Sequence, residues 1–437
     1  MSNSPARSTG GSRRKTAAIS LGVLILASIG LLGFWWNESL RIPVLKIPDP
    51  IMPNPNARDS YIAAANAVVG SNQIDDAVSS TPTKVYTRAQ KEALLRQNAG
   101  VFTLLHQGFG YSYHNLPARS LATINPEYAD FRHLMRVIAF QGQVRREAGD
   151  WSGAAGSYLD ALHVGQDIPR GSTMIGDLTG IACQAIGRRH LWEVVEHLNA
   201  AQSRAVTTRL AAIIDGHVSY ADVLQEEKWS GLSNYLELFG DNTRRNTLAR
   251  SIVAAQGGDD PIRDFVSSLS YLIHPKSQII TGFATYMDTI TAQARQPYAA
   301  KIPYPPLPSD PMNQMLLPVI VEGRIKHVDN ETQNGLLLVM LALHTFRLEH
   351  GHYPASLAEL APAYLKRLPD DPFALQGTFG YRLDGDHYLL YSVGPDGKDD
   401  GGKRIDDPRK AGDPNPNARF YVEKNSVGDV VAGKNLW

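Results

Sequence analysis

The chain has 437 residues, enough for two or three folded units at about 150 residues each. Its 43 basic and 43 acidic side chains cancel, which removes the broad electrostatic case for nucleic acid as a partner. Hydrophobic residues make up 43% and the only cysteine is Cys183, so wholesale disorder, an intramolecular disulfide and cysteine-built metal centres are excluded.

Thr16 to Trp36 reads TAAISLGVLILASIGLLGFWW, 21 positions without a charge. At about 1.5 Å per residue, a helix of that length spans the roughly 30 Å hydrocarbon core of a bilayer. Arg7, Arg13, Arg14 and Lys15 precede it, and no acidic residue comes before Glu38. The positive-inside rule therefore puts residues 1–15 in the cytoplasm and everything after Trp36 outside it. The run exceeds the ~7–15 residues of a signal-peptide core, and no Ala-x-Ala pattern follows, so the expectation is an uncleaved single-pass anchor in a bacterial inner membrane. The bilayer is then the first partner, through residues 16–36.

Pro43, Pro48, Pro50, Pro53 and Pro55 make 37–58 an extended spacer. At about 3.1 Å per residue it could hold the first folded unit roughly 50 Å from the bilayer. From 59 to 296 apolar residues recur at three- and four-residue intervals, predicting a bundle of about seven to nine helices. Leu191, Val194, Val195 and Leu198 form one such stripe. Breaks are expected near Gly108–Pro117, Gly149-Asp150, Pro169–Gly171, Gly216, Gly257–Pro261 and Pro275. Within 138–165, Ile138, Gly142, Arg145, Ala154, Tyr158 and Ala161 stand at the spacings of one tetratricopeptide repeat, which the segment resembles. A solenoid needs three copies, so an ordinary helical hairpin stays open as the plainer reading.

A proline-rich linker is expected at 297–318, then a small α+β unit over 319–410 and a C-terminal tail over 411–437. In that unit an apolar helix over Asn334–Glu349 ends at Gly351, and a short helix follows over Ser356–Leu365. Two strands, Tyr381–Leu383 and Tyr388–Val393, flank the turn pair Asp384-Gly385, predicting an antiparallel hairpin. The fold class read from the sequence is thus mostly α: a transmembrane helix, an extracytoplasmic helical bundle and a small α+β domain with an antiparallel sheet.

Three strings in this unit occur in order: His350-Gly-His-Tyr-Pro354, Leu368-Pro-Asp-Asp-Pro372 and Tyr391-Ser-Val-Gly-Pro-Asp-Gly397. With them, residues 334–407 resemble the C-terminal domain of the major pseudopilins of type II secretion systems. The resemblance implies a helix packed on a small antiparallel sheet and a calcium site in an aspartate-bearing loop. It covers less than a fifth of the chain, and the prepilin signal of that family is absent, so assembly into a pseudopilus is not implied.

Asp396, Asp399, Asp400, Asp406 and Asp407 are the candidate calcium ligands, on a chain loosened by Gly397, Gly401 and Gly402. Calcium takes six to eight oxygens, which carboxylates and carbonyls of such a loop can supply, although the spacing is not that of an EF-hand and a solvated acidic turn is the alternative. The resemblance places Asp396 most directly, then the pair Asp406 and Asp407. His190, Glu193 and His197 share a helical face and could meet at a metal, but polar residues are expected beside an apolar stripe. His344, His350 and His352 suit a helix C-terminus, Cys183 a packed helix, and Glu226, Glu227 and Trp229 a solvated face. Gly-x-Ser-x-Gly, P-loop and His-Glu-x-x-His strings are absent from the sequence, and no catalytic residue is assigned. The functional expectation is binding or scaffolding beside a protein partner in the envelope. The alternatives are an envelope hydrolase working in the helical region, which converging carboxylates and histidines in a deep pocket would favour, and a tetratricopeptide-like adaptor.

Overall fold

A computed structural model describes residues 28–30, 33–34, 41–79, 82–123, 125–240, 274–415 and 417–435. The chain is mostly helical, with a small three-stranded antiparallel sheet near the C-terminus. The apolar span 16–36 and the expected break at 257–261 fall outside the described residues, apart from 28–30 and 33–34 of the span. Among the described residues no helix is long and apolar enough to cross a membrane.

The helices before the proline-rich stretch are α1 (Ala57–Asn66), α2 (Ser71–Val78), α3 (Arg88–Gln97), α4 (Ala99–Gly108), α5 (Glu127–Glu147), α6 (Trp151–Asp167), α7 (Met174–Val194), α8 (Ala200–Asp215), α9 (Tyr220–Gly240) and α10 (Lys276–Ala294). These exceed the expected number because short polar joints divide what periodicity runs together: Gly70, with φ 73°, separates α1 from α2, and Asn98 separates α3 from α4. The sequence signals for the other ends hold. Gly149, with φ 80°, closes α5, and the Asp150 carboxylate accepts from the Gly153 N–H at 2.8 Å to open α6. Thr87 and Asn199 open α3 and α8 with capping boxes.

α5 and α6 form the expected close hairpin. A Cβ on Gly142 would stand 2.2 Å from the Tyr158 ring, so only glycine lets that ring lie against the helix. α7 then crosses α6 as closely, at Gly165, Gly180 and Gly187. Cys183 is buried in this layer, and burial pushes its thiol up to about 12, in keeping with a packing role.

α11 (Pro311–Val321) and α12 (Gly323–His350) follow, with Asp310 capping α11 through the Asn313 N–H at 2.9 Å. The stretch read as a linker over 297–318 is therefore helical from Pro311 onward. α12 begins 11 residues before the helix expected at Asn334, since polar residues at its start hid it, and ends at Gly351 with φ 79° as predicted. The expected helix at 356–365 is a 3-10 turn over Leu357–Leu360, with Ser356 and Glu359 forming its capping box.

β1 (Gly380–Asp384) and β2 (His387–Ser392) pair antiparallel, Gly380 opposite Tyr391 and Asp384 opposite His387. The two-residue loop is Gly385-Asp386, one residue later than Asp384-Gly385, with Gly385 at φ 59°. β3 (Val430–Val431) comes from the segment read as a tail and pairs with the far edge of β2. It is too short and too distant in sequence to carry an alternating pattern.

The apolar core does not divide at 297–318. One cluster joins Tyr158 and Leu162 of α6, Leu191 of α7 and Leu210 of α8 to Leu336–Leu343 of α12, Phe373, Leu390 and Val430. A second lies among α1–α6, and a third joins α9, α10 and α11, with Ile42, Leu45 and Ile47 of the proline-rich N-terminal stretch packed on it.

Candidate functional site

Two of the three strings behind the pseudopilin resemblance are tied together by hydrogen bonds, and the third is fixed to β1. The Asp371 carboxylate, buried, accepts from the Ser392 hydroxyl at 2.7 Å, the Val393 N–H at 2.9 Å and the Phe373 N–H at 3.0 Å. Burial raises its pKa, and these three bonds oppose the rise. The Tyr381 hydroxyl donates to the Pro354 carbonyl at 2.8 Å, fixing the His-Tyr-Pro string to β1.

The five candidate calcium ligands do not share one place. Asp406 forms a two-point pair with Arg419 at 2.6 and 2.9 Å, and Asp407 one with Arg409 at 2.9 and 2.9 Å. Asp396 accepts from the Lys398 N–H at 3.1 Å, while its own carbonyl accepts from Lys301 Nζ. Asp399 accepts from the Tyr391 hydroxyl and the Gly401 N–H, each at 2.9 Å. Asp400 instead adjoins a carboxylate that loop composition could not reveal, Asp429. It is fully buried and accepts from the N–H groups of Asp400 at 3.3 Å and Gly402 at 2.6 Å. Burial, reinforced by the charges of Asp399 and Asp400, pushes Asp429 up to about 6 despite those bonds. Among the described residues no three His, Cys, Asp or Glu side chains converge as metal ligands.

The other candidates are structural contacts. His197 stacks on Trp151 at 3.8 Å, turned from the Glu193 that His190 approaches at 3.5 Å. His344 is buried, with Nε2 3.1 Å from the Leu198 carbonyl, and His350 meets the Tyr364 hydroxyl at 3.0 Å. Glu227, expected on a solvated face, is half-buried and accepts from the Met174 N–H at 2.8 Å at the start of α7, and burial raises its pKa.

The constellation that sequence reasoning missed lies between α7 and α12. His327, Asn330, Glu331 and Asn334 occupy i, i+3, i+4 and i+7 of α12, one face of a helix. Asp177, Gln184 and Arg188 occupy i, i+7 and i+11 of α7. The two stripes meet. His327 Nδ1 lies 3.0 Å from Asp177 Oδ1, and both side chains are buried. Gln184 Oε1 accepts from the amides of Asn330 at 3.1 Å and Asn334 at 2.7 Å. Arg188, 2% exposed, donates to the oxygens of the same two asparagines at 2.8 Å each. Burial lowers the Arg188 pKa to about 10, with Asp329 opposing.

Above this ladder is a cavity of about 320 Å³, reaching the α8–α9 turn at Asp215 and His217 and the segment Arg367–Pro372. On its wall Glu331 stands 3.5 Å from His327 Nε2 and 3.7 Å from His217 Nε2. Asp177, His327, Glu331 and His217 thus alternate acid and imidazole from the interior to the surface. Burial alone would lower the His327 pKa, but the charges of Asp177 and Glu331 and the hydrogen bond to Asp177 hold it well above the ordinary value. Burial would raise Glu331, and His327 and His217 bring it below the carboxylate range. His327 Nε2 is buried with Glu331 Oε1 beside it at 3.5 Å, and Gln166, 7% exposed, lines the cavity. No known protein family, curated protein or solved structure matches the chain.

Proposed function

We propose that the chain is a single-pass protein of a bacterial inner membrane, anchored by residues 16–36, whose extracytoplasmic body binds a small polar ligand in the cavity between α7, α12 and Arg367–Pro372. The observation that carries this reading is a cavity with a polar wall, buried at His327 and Gln166 and open to solvent at Asp215 and His217. Gln166 offers an amide, the exposed Asp215 an acceptor, and the His327–Glu331 pair, 3.5 Å apart, an N–H and a carboxylate already engaged with each other, while the amides of Gln184, Asn330 and Asn334 satisfy one another. Acidic side chains outnumber basic ones on the wall by four to three (Asp177, Asp215, Glu331 and Asp370 against His217, His327 and Arg367), which gives an anion no net attraction. A hydroxyl both donates and accepts, so an uncharged polyol such as a saccharide meets all four groups.

The converging carboxylates and histidines are the feature that would favour a hydrolase. Two facts favour binding instead. The charges of Asp177 and Glu331 raise the His327 pKa against the effect of burial, which weakens it as a general base. Among the described residues the cavity wall carries no serine, threonine or cysteine, so a hydrolase there would have to work through its carboxylates alone. The tetratricopeptide-like adaptor has less support, because α7 packs closely against the hairpin at 138–165, at Gly165 and Gly187. The C-terminal loop is proposed, separately, to take calcium beside Asp429, whose charge is felt by Asp399 and Asp400.

The test is the melting temperature of the full chain in mild detergent with glucose, N-acetylglucosamine, its disaccharide, spermidine and inorganic phosphate. A rise with a neutral sugar, lost in Glu331→Gln and Gln166→Ala, is the expected result. A rise with phosphate or with spermidine alone, or none with any of the five, overturns the saccharide reading.

A further inference from the structure

The proline-rich stretch after the anchor does not stand free. Ile42, Leu45 and Ile47 lie on the core made by α9, α10 and α11. Only five residue steps separate Trp36 from Arg41, a reach of at most about 18 Å at ~3.3–3.6 Å per residue. The lobe that receives Ile42 is therefore held within about that distance of the end of the anchor, not the roughly 50 Å that a free spacer allows. α11 turns Met312, Leu317 and Ile320 into this lobe and leaves Met315 and Leu316 outside, 42% and 43% exposed. Val44 and Ile51 on the N-terminal stretch are almost fully exposed as well, at 102% and 96%.

We infer that this lobe is seated on the outer leaflet of the bilayer that holds the anchor, with the Met315–Leu316 edge of α11 in the headgroup region. The inference rests on the anchor proposed above. Two observations converge on it: the short tether brings the lobe to the membrane, and the lobe carries apolar side chains that its own core leaves uncovered. The cavity between α7 and α12 belongs to a different core, so the ligand site and the lipid-facing lobe are distinct parts of the body.

The experiment uses the full chain in nanodiscs of phosphatidylcholine and phosphatidylglycerol. A polarity-sensitive fluorophore is attached at Leu316→Cys, at Met315→Cys, or at Leu383→Cys on β1, which is 41% exposed. Buried Cys183 does not compete for the label. Headgroup spin-labelled lipid should remove most of the emission from 315 and 316, blue-shifted beforehand, and little from 383. Equal quenching at all three positions in chains that co-elute with the discs overturns the seating and leaves the anchor intact. Chains that fail to co-elute with discs overturn the anchor, and the seating with it.

Discussion

The two halves of α12 are both buried, yet they are held by opposite means. Leu336 to Leu343 is apolar all round and every side chain is at least nine-tenths buried, so the helix is surrounded by α8, the sheet and the 3-10 turn at Leu357. In the two turns before it, His327, Asn330 and Asn334 meet α7 through an ion pair and amides, while Glu331 pairs with His327 and His217 on the cavity wall. Gly335 is the seam: a Cβ there would stand 2.7 Å from the Phe379 ring, which packs on the helix where its character changes. The apolar half can repack around a smaller residue. The polar half cannot, because each group removed leaves another buried without its partner.

Single substitutions should expose that difference. Asp177→Ala strands the His327 charge in the interior and should cost about 3–5 kcal/mol in chemical denaturation. Replacing Asp177 and His327 together by leucines should recover most of this, because a buried ion pair adds little over apolar packing. Leu341→Ala should cost about 2–5 kcal/mol, with no second substitution that restores it so simply. It should also lower the stability of the helical body and the C-terminal sheet together, since one core runs through both. Two separate unfolding transitions, with only one moved by Leu341→Ala, would break the comparison.

The pH dependence sharpens it. His327 has a folded pKa above its unfolded value, so its contribution is complete below about 6.5 and fades as pH rises through the folded value. Glu331 has a lowered folded pKa, so its contribution is complete above its ordinary value and is lost as pH falls. Together they give a plateau with an acid and an alkaline limb. His327→Gln should flatten the alkaline limb of the denaturation midpoint against pH, whereas Leu341→Ala should lower the whole curve without changing its shape. An unchanged alkaline limb in His327→Gln would mean that the imidazole is neutral in the folded chain.

What the sequence disclosed divides along the same line. Local signals were legible: Gly149-Asp150 between α5 and α6, Gly351 ending α12, the glycine turn between β1 and β2, and Tyr158 lying against Gly142. The ladder between α7 and α12 was not read, because its partners lie 142 to 150 positions apart. A polar stripe ordinarily faces water, and only the second stripe on α7 turns it into a buried site. β3 and Asp429 were hidden for the same reason, since each acquires its meaning from a partner that no local pattern names.

The smallest expected effect is calcium at the C-terminal loop, and Asp429 gives it a pH signature. Asp429 is raised to about 6 in the folded chain, so it favours folding most when protonated. That contribution is present below its unfolded pKa and is lost as pH rises through about 6. Above that pH a buried carboxylate faces Asp399 and Asp400, and a divalent cation would relieve the repulsion. Binding at ten times Kd would stabilise the chain by about 1.4 kcal/mol. Melting the full chain with EGTA and with millimolar calcium should show a rise at pH 7.5 that vanishes at pH 5. Asp429→Asn should raise the melting temperature in EGTA at pH 7.5, by removing the buried charge, and abolish the response to calcium. Asp406→Ala should leave that response intact, because Asp406 is committed to Arg419. A calcium response that survives Asp429→Asn but not Asp406→Ala would return the site to the downstream aspartates, and no response at either pH would leave the loop a solvated acidic turn.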